Sequence, residues 1–415
     1  MTGWIYEVHM LNRDYMYQCM YLYLATGKRQ YADYIRTMLL DYAGKYAGWF
    51  EHNSGRKATD QHSGKAFAQS LDEANWATKV AMAYVAIKPV LSKEEVKAIE
   101  EGYLQPAATL LLHRPAGANW QMWHNSGLAA LGIALENDSI VDVAINKDKY
   151  GYHYLIGKHK NSDGWINEGS PHYHYYPLEA LLFTANAVKC RGIKLFDKDL
   201  HDMFVEPVKG TYPDLSFPAH SDGWYGVNLL SQSALYEVGN ARYNDPFLKR
   251  VLELTYAQKK RLDPEALLSN QLIKASEESL LQKSYSFDTS GFCLLRSDTR
   301  TVVLKFGGEG IGHGHPDKLS ITIHDGKNEL VSDFGTSGYG VPDYLKWYKR
   351  TLSHNTVTVD AKDQKRSVGK LLKFNPRSDG GYAEAETTTA YPGVRMKRSL
   401  DLKGTHLQDV YTCTS

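Results

Sequence analysis

Two histidines stand two residues apart in "GEGIGHGHPDKLSITIHDG", residues 308–326, between glycines and just before an alternating apolar run. Imidazoles so placed can hold a metal ion or move a proton. In extended backbone, His313 and His315 project to the same side. The next run, "NELVSDFG", returns with Asp333, and "TLSHNTV" offers His354 at the start of a further strand. A two-residue hairpin turn at Asp325-Gly326 would set Asp333 opposite Lys318, so His315 is expected in the loop that enters the strand. Two histidines and an aspartate make a reasonable zinc set, with water or another group completing a tetrahedron. The competing reading is a pair of exposed loop histidines.

Two other stretches concentrate polar and aromatic groups. "NWQMWHNSG", residues 119–127, places Trp120, Trp123, His124 and Asn125 where a helix is expected to start, with Asn125 or Ser126 as its cap. A helix N-terminus offers donors and a positive dipole end, which suits an anionic group. "DGWINEGSPHYHYYPLEA", residues 163–180, crowds Glu168, His172, Tyr173, His174, Tyr175 and Tyr176 into what reads as a loop before a helix. A tyrosine moves protons only with a lowered pKa or within a concerted transfer. Taken alone, plain packing explains the first stretch equally well and the second better.

The elements that must position these groups change character along the chain. Up to residue 262, helix follows helix in short-loop pairs. Gly27 is a plausible C-cap, and Ser70 with Glu73 and Ser92 with Glu95 each read as a capping box. Helical hairpins in series suggest an α/α toroid or a solenoid. From residue 284 the apolar period becomes two, as in "TVVLKFG", "LSITIHDG" and "HNTVTVD", which predicts an antiparallel β domain over 284–415. Residues 263–283 are the expected linker. The expected class is therefore α+β and multidomain: an incomplete α/α toroid, then a sandwich-like antiparallel sheet.

The totals bound the function. A net charge of +1 over 415 residues provides no global field for nucleic acid or an anionic membrane. No run of about 18 apolar residues spans a bilayer. Four scattered cysteines contain no CxxC pair, which excludes a zinc ribbon. Tyrosine, at 29 residues, suits sugar faces as well as cores. The first residues already read as amphipathic helix rather than a leader, and the last stop inside a strand pattern, so a fragment of a longer protein is expected.

Together "GHGHPDK", "LVSDFG", "LSHNTV", "EGSPHYH" and "WHNSG" resemble the heparinase II/III-like polysaccharide lyases, a group that includes heparin and heparan sulfate lyases and oligoalginate lyases. The resemblance covers about residues 60–360. It implies a structural divalent metal, zinc, on His315, Asp333 and His354. It gives His313 to the catalytic side, Tyr173 the part of the catalytic tyrosine, and His124 or Asn125 the substrate carboxylate. Gln121, Trp123, Glu168, His172, Tyr348 and Arg350 are expected to line the sugar site. Some alginate-cleaving members use a second tyrosine before the last metal ligand; Tyr339, Tyr344 and Tyr348 all qualify.

The implied reaction is β-elimination on a uronic acid, giving a 4,5-unsaturated product. It needs the carboxylate neutralised, a base at C5 and an acid at the departing O4. The expected ligand is an acidic poly- or oligosaccharide, a heparin/heparan sulfate-type glycosaminoglycan first and alginate second. The expected location is periplasmic or secreted, with the signal peptide missing from this sequence. Two other classes compete. An α/α-toroid glycoside hydrolase would need a carboxyl pair from among Asp72, Glu73, Asp163, Glu168 and Asp222. A glycan-binding relative would have lost turnover altogether.

Overall fold

The computed structural model describes residues 2–53, 62–269, 271–278, 280, 283–308 and 310–415. Glu309 of the glycine-histidine segment, and residues 270, 279, 281 and 282 of the expected linker, lie outside the described residues. The last long helix, Pro246–Gln258, and the first strand, Tyr285–Phe287, bracket the expected change from helical to extended chain. Contacts group the chain differently from a single cut at 262. One compact unit comprises residues 1–158 and 177–200; the other comprises 159–176 and 201–415. Among the described residues, no helix is long and apolar enough to cross a membrane.

The first unit is helical. Gly27 closes the opening helix with a positive φ and a bond from its N–H to the Tyr23 carbonyl. Ser92 and Glu95 form the capping box expected of them. Ser70 does not cap its helix: the N-cap is Gln69, and Glu73 turns away to bond the Tyr46 hydroxyl and the backbone N–H groups of residues 65–67. Helices Ser70–Ile87 and Ala118–Ala134 run in contact. The Thr78 hydroxyl reaches Ser126 Oγ at 3.1 Å, and a Cβ on Gly127 would sit 3.2 Å from the Ala74 carbonyl oxygen. Small residues thus set that close approach. Trp76, Tyr84, Tyr103 and Trp123 fill the core around it.

The second unit is built on one nine-stranded antiparallel sheet: β1 Tyr285–Phe287, β2 Phe292–Arg296, β3 Thr301–Lys305, β4 Ser320–His324, β5 Glu329–Val331, β6 Lys370–Arg377, β7 Gly380–Tyr391, β8 Val394–Lys403 and β9 His406–Thr414. The path runs β5-β4-β3-β2-β7-β8-β9, with β1 on β2 and β6 on β7. Its two arms meet through one pair, Arg296 with Gly380. One apolar cluster takes Leu295, Val302, Leu304 and Ile321 from the first arm and Ala383, Ala385, Met396 and Leu400 from the second. The sheet therefore curls over a shared core, which gives it the sandwich-like character expected from alternation.

Two local expectations fail here. The β4–β5 turn centres on Gly326-Lys327 rather than Asp325-Gly326, because the Asp325 carboxylate gathers the N–H groups of Lys327 and Asn328. A bulge between Ile323 and His324 then shifts the register again. "HNTVTVD" forms no strand. A 3-10 turn, Thr351–Ser353, precedes it, and the Asn355 amide instead bonds the carbonyls of Ile321 and Ser332.

Candidate active site and metal-binding residues

Tyr173 is held at the start of helix His172–Val188, not in a loop as expected. Ser170 accepts the Tyr173 backbone N–H at 3.2 Å, and Pro171 follows Ser170 where a missing N–H costs nothing. Against the Tyr173 ring lies the imidazole of His313, with centroids 3.5 Å apart and planes 13° from parallel. The Tyr173 hydroxyl meets that of Tyr339 at 2.5 Å. Tyr339 Oη in turn lies 2.8 Å from His313 Nδ1 and 3.1 Å from Asp222 Oδ2. His313 Nε2 is 3.7 Å from Glu168 Oε2, and His172 stacks edge-on against Tyr173. Tyr173, His313, Glu168 and His172 are therefore brought together within one unit.

Their common support is Asp222, which the sequence reading considered only as a hydrolase carboxylate. It is fully buried. Oδ1 takes His315 Nε2 at 2.9 Å; Oδ2 takes His313 Nδ1 at 3.0 Å and the Tyr344 hydroxyl at 2.8 Å. Lys349 Nζ stands 3.8 Å away. Burial alone would raise this carboxyl; the bonds from His313 and His315, the Lys349 charge and Tyr344 outweigh burial and hold it well below the usual range. A π-turn, Tyr344–Tyr348, presents Tyr344 and Lys349 together.

The turn that carries Asp222 is clamped by main chain. Asp222 N–H donates to the His313 carbonyl at 3.0 Å, and Thr336 N–H to the Gly223 carbonyl at 3.2 Å. Gly335 has φ +59°, and a Cβ there would lie 1.9 Å from the Gly223 oxygen. Only glycine admits that approach.

Burial pushes Tyr173 up to about 12, partly offset by the bond to Tyr339, with Asp222 and Glu168 adding to the rise. Burial likewise raises Tyr339 and Tyr344. All three phenols thus carry their protons at neutral pH. His172 is pushed down to about 4 by burial and by His313, and stays neutral. The site is not sealed: Tyr339 is half exposed.

Beside this network lies a buried cluster of possible metal ligands. Asp317, Asp333 and His354 place ligand atoms within 4.8 Å of one another. His354 Nδ1 and Asp333 Oδ2 are 3.1 Å apart. His315, the expected third ligand, falls outside that tight group, although its ring lies 5.2 Å from that of His354. Asp317 was not anticipated. It is already engaged by Lys305 Nζ and by Lys318 Nζ, and although burial opposes ionisation, those two charges keep it ionised. His315 Nδ1 and His354 Nε2 are both buried with no hydrogen-bond partner among the described residues. Buried polar atoms are normally paired. Two orphaned imidazole nitrogens beside a carboxylate are a set that, once deprotonated, a zinc-like ion fits.

The remaining expected residues are placed otherwise. Gln121, Trp123, His124 and Asn125 belong to the helical unit, inside helix Ala118–Ala134 and not at its start. The break sits earlier, at Pro115 and Gly117, so the helix-end dipole does not act on His124 or Asn125. Asn125 accepts from Gln121 at 2.8 Å and donates to the Tyr150 carbonyl at 2.6 Å. His124 is wholly buried and pushed down to about 4 by burial, which the backbone of Arg114 and Ser70 partly offsets. Tyr348 takes no part in the Asp222 network, and the Arg350 guanidinium is spent on Asp363 at 2.5 Å.

Two family models match the chain: "Alginate lyase" over residues 8–205 and "Heparinase II/III-like, C-terminal" over 280–408. The chain is 30% identical to an alginate lyase of Stenotrophomonas maltophilia over 96% of its own length and 58% of that protein's. It is 27% identical to an exo-oligoalginate lyase of Saccharophagus degradans, over 96% and 59%. It thus spans less than two thirds of the length of these relatives. Among solved structures, a heparan sulfate lyase from Pedobacter heparinus superposes with a TM-score of 0.67 at 17% identity, over 98% of this chain and 62% of that one. That likeness shows the fold, an incomplete α/α toroid with an antiparallel sheet domain. With a helical region matching one lyase model and a sheet region matching the other, the chain is similar along most of its length to the heparinase II/III-like polysaccharide lyases.

Proposed function

We propose that this chain cleaves a uronate-containing oligosaccharide by β-elimination, with alginate oligosaccharide as the substrate class. The carrying observation is the Tyr173 phenol, stacked on His313 and bonded to a second phenol, Tyr339, that has its own path to His313 and Asp222. Alginate is placed first because the relatives aligned along nearly the whole chain carry alginate names. Sulfated glycans come second, because the relatives with heparin-sulfate names align over only 58% and 65% of the chain and Arg350 is already paired.

Tyr173 begins protonated. As base it must take the C5 proton while giving up its own, and Tyr339 Oη at 2.5 Å is the acceptor in reach. Tyr339 can release a proton toward Asp222, which keeps phenolate charge from building up on either ring. The departing O4 then takes a proton back from this pool. Water is not consumed, so no second free carboxylic acid is needed. Asp222, saturated with donors, is poorly suited to be the free acid of a hydrolase.

A zinc ion would be held by His315, Asp333 and His354. Its supply would be structural, a fixed charge that anchors the loop from Gly312 to Asp317. An extracytoplasmic location, periplasmic or secreted, fits a charged oligosaccharide substrate. The test is a panel of uronate oligo- and polysaccharides, followed by absorbance of the C4–C5 double bond. Alginate oligosaccharides should give signal and Tyr173→Phe should lose it, by about 10²–10⁴-fold. Reducing ends released without that absorbance would favour a hydrolase. Sugar binding with no turnover in the parent would favour a binding protein.

A further inference from the structure

We infer that Asp222 is a positioning residue that sets the tautomers of His313 and His315 together, coupling the proton-moving side of the site to the metal-holding side. The inference rests on the functional reading above.

The argument is one of donor accounting. Four donors converge on the Asp222 carboxylate: His315 at Oδ1, and His313, Tyr344 and Tyr339 at Oδ2. A carboxylate in such company only accepts. The imidazole nitrogen facing it must therefore carry the hydrogen. For His313 that nitrogen is Nδ1, which leaves the Nε2 lone pair open on the side toward Glu168. For His315 it is Nε2, which leaves the buried, unpartnered Nδ1 as an electron-pair donor. One carboxylate thus polarises two rings that use opposite nitrogens. With Nδ1 of His313 already protonated, the Tyr339 hydroxyl is turned to donate to Asp222 and to accept from Tyr173. The order Tyr173 to Tyr339 to Asp222 follows from the tautomer. The rigid clamp of residues 222–223 by the His313 carbonyl and Thr336 N–H keeps the carboxylate in register with both rings.

A carboxylate behind a metal-binding histidine typically tunes affinity or activity by about 10–100-fold. The test uses the full chain with zinc bound. Long-range proton–nitrogen correlation spectra of the imidazoles, with His313→Gln and His315→Gln to identify the signals, report each tautomer. The parent should show hydrogen on Nδ1 of His313 and on Nε2 of His315. Asp222→Asn, which can turn an N–H toward the rings, should disturb both signals. It should lower zinc affinity, read by chelator competition, and kcat, each by about 10–100-fold, with KM little changed. Asp222→Glu should restore part of each. Opposite tautomers in the parent would overturn the inference. So would an Asp222→Asn protein that melts earlier but keeps both ring signals, since Asp222 would then be a brace for loops only. A parent inactive on every uronate overturns the lyase reading alone, and the ring signals still decide this one.

Discussion

Replacing Tyr339 by phenylalanine removes one oxygen and leaves the ring. That oxygen meets Tyr173 at 2.5 Å, His313 at 2.8 Å and Asp222 at 3.1 Å. The side chain is 53% exposed, so water can take up the groups left behind. Net hydrogen bonds are worth about 0.5–1.5 kcal/mol each, so the fold should lose no more than about 1–2 kcal/mol. The barrier should lose more. If Tyr339 is the acceptor that lets Tyr173 act as base, turnover should fall about 10²–10⁴-fold, and each tenfold corresponds to about 1.4 kcal/mol. Tyr344→Phe is the control. Its hydroxyl bonds Asp222 at 2.8 Å and, among the described residues, makes no hydrogen bond to Tyr173 or His313, and Asp222 keeps three other donors. It should cost about tenfold or less. The assay is the initial rate of unsaturated product on alginate oligosaccharide, with kcat and KM separated and melting temperature measured in parallel. Equal losses in the two variants would refute the relay. So would a Tyr339→Phe enzyme within about tenfold of the parent.

Two further outcomes are expected. Asp333→Asn and His354→Ala should lose zinc on dialysis against a weak chelator. Asp317→Asn should keep it but melt earlier, because stripping a counter-charge from buried Lys305 and Lys318 costs about 3–5 kcal/mol. Zinc loss in the Asp317 variant as well would replace His315 by Asp317 in the ligand set. Glu73 gives a pH signature in the helical unit. Burial pushes it up to about 7, against the opposing bonds from Tyr46 and three backbone N–H groups. Below about pH 4.5 it is protonated in both folded and unfolded chains and costs nothing. Between about 4.5 and 7 the unfolded chain releases the proton first, so stability falls as pH rises through that window. The melting temperature of Glu73→Gln relative to the parent should therefore climb over the same interval, and a gap independent of pH would contradict the assignment.

Much of the fold was legible because its signals are local. The change of apolar period, the Gly27 terminus and the Ser92–Glu95 box each depend on residues a few positions apart. Where a distant group competes, local signals fail. Ser70 loses its partner because Glu73 turns to the backbone of residues 65–67. "HNTVTVD" alternates like a strand, yet Asn355 spends its amide on carbonyls 23 and 34 residues away. The start of helix Ala118–Ala134 was misjudged although "RPAG", with Pro115 and Gly117, marked it.

The site divides along the same line. Tyr173, Glu168, His172 and His313, which the structure brings together, sit in short, crowded, polar stretches that a sequence reading can pick out. Asp222 was not singled out, since "SDGWYG" looks like any acidic turn and lies 91 residues from His313. Yet it decides what the histidine pair can do. Spacing by two says only that the rings share a side. Had both presented the same nitrogen to one acceptor, they would be redundant ligands. Because Nδ1 of His313 and Nε2 of His315 reach the two oxygens of a single carboxylate, the rings keep opposite nitrogens free, one toward Tyr173's neighbours and one toward Asp333 and His354. That division is a property of where a remote turn lands, and no spacing within residues 308–326 encodes it.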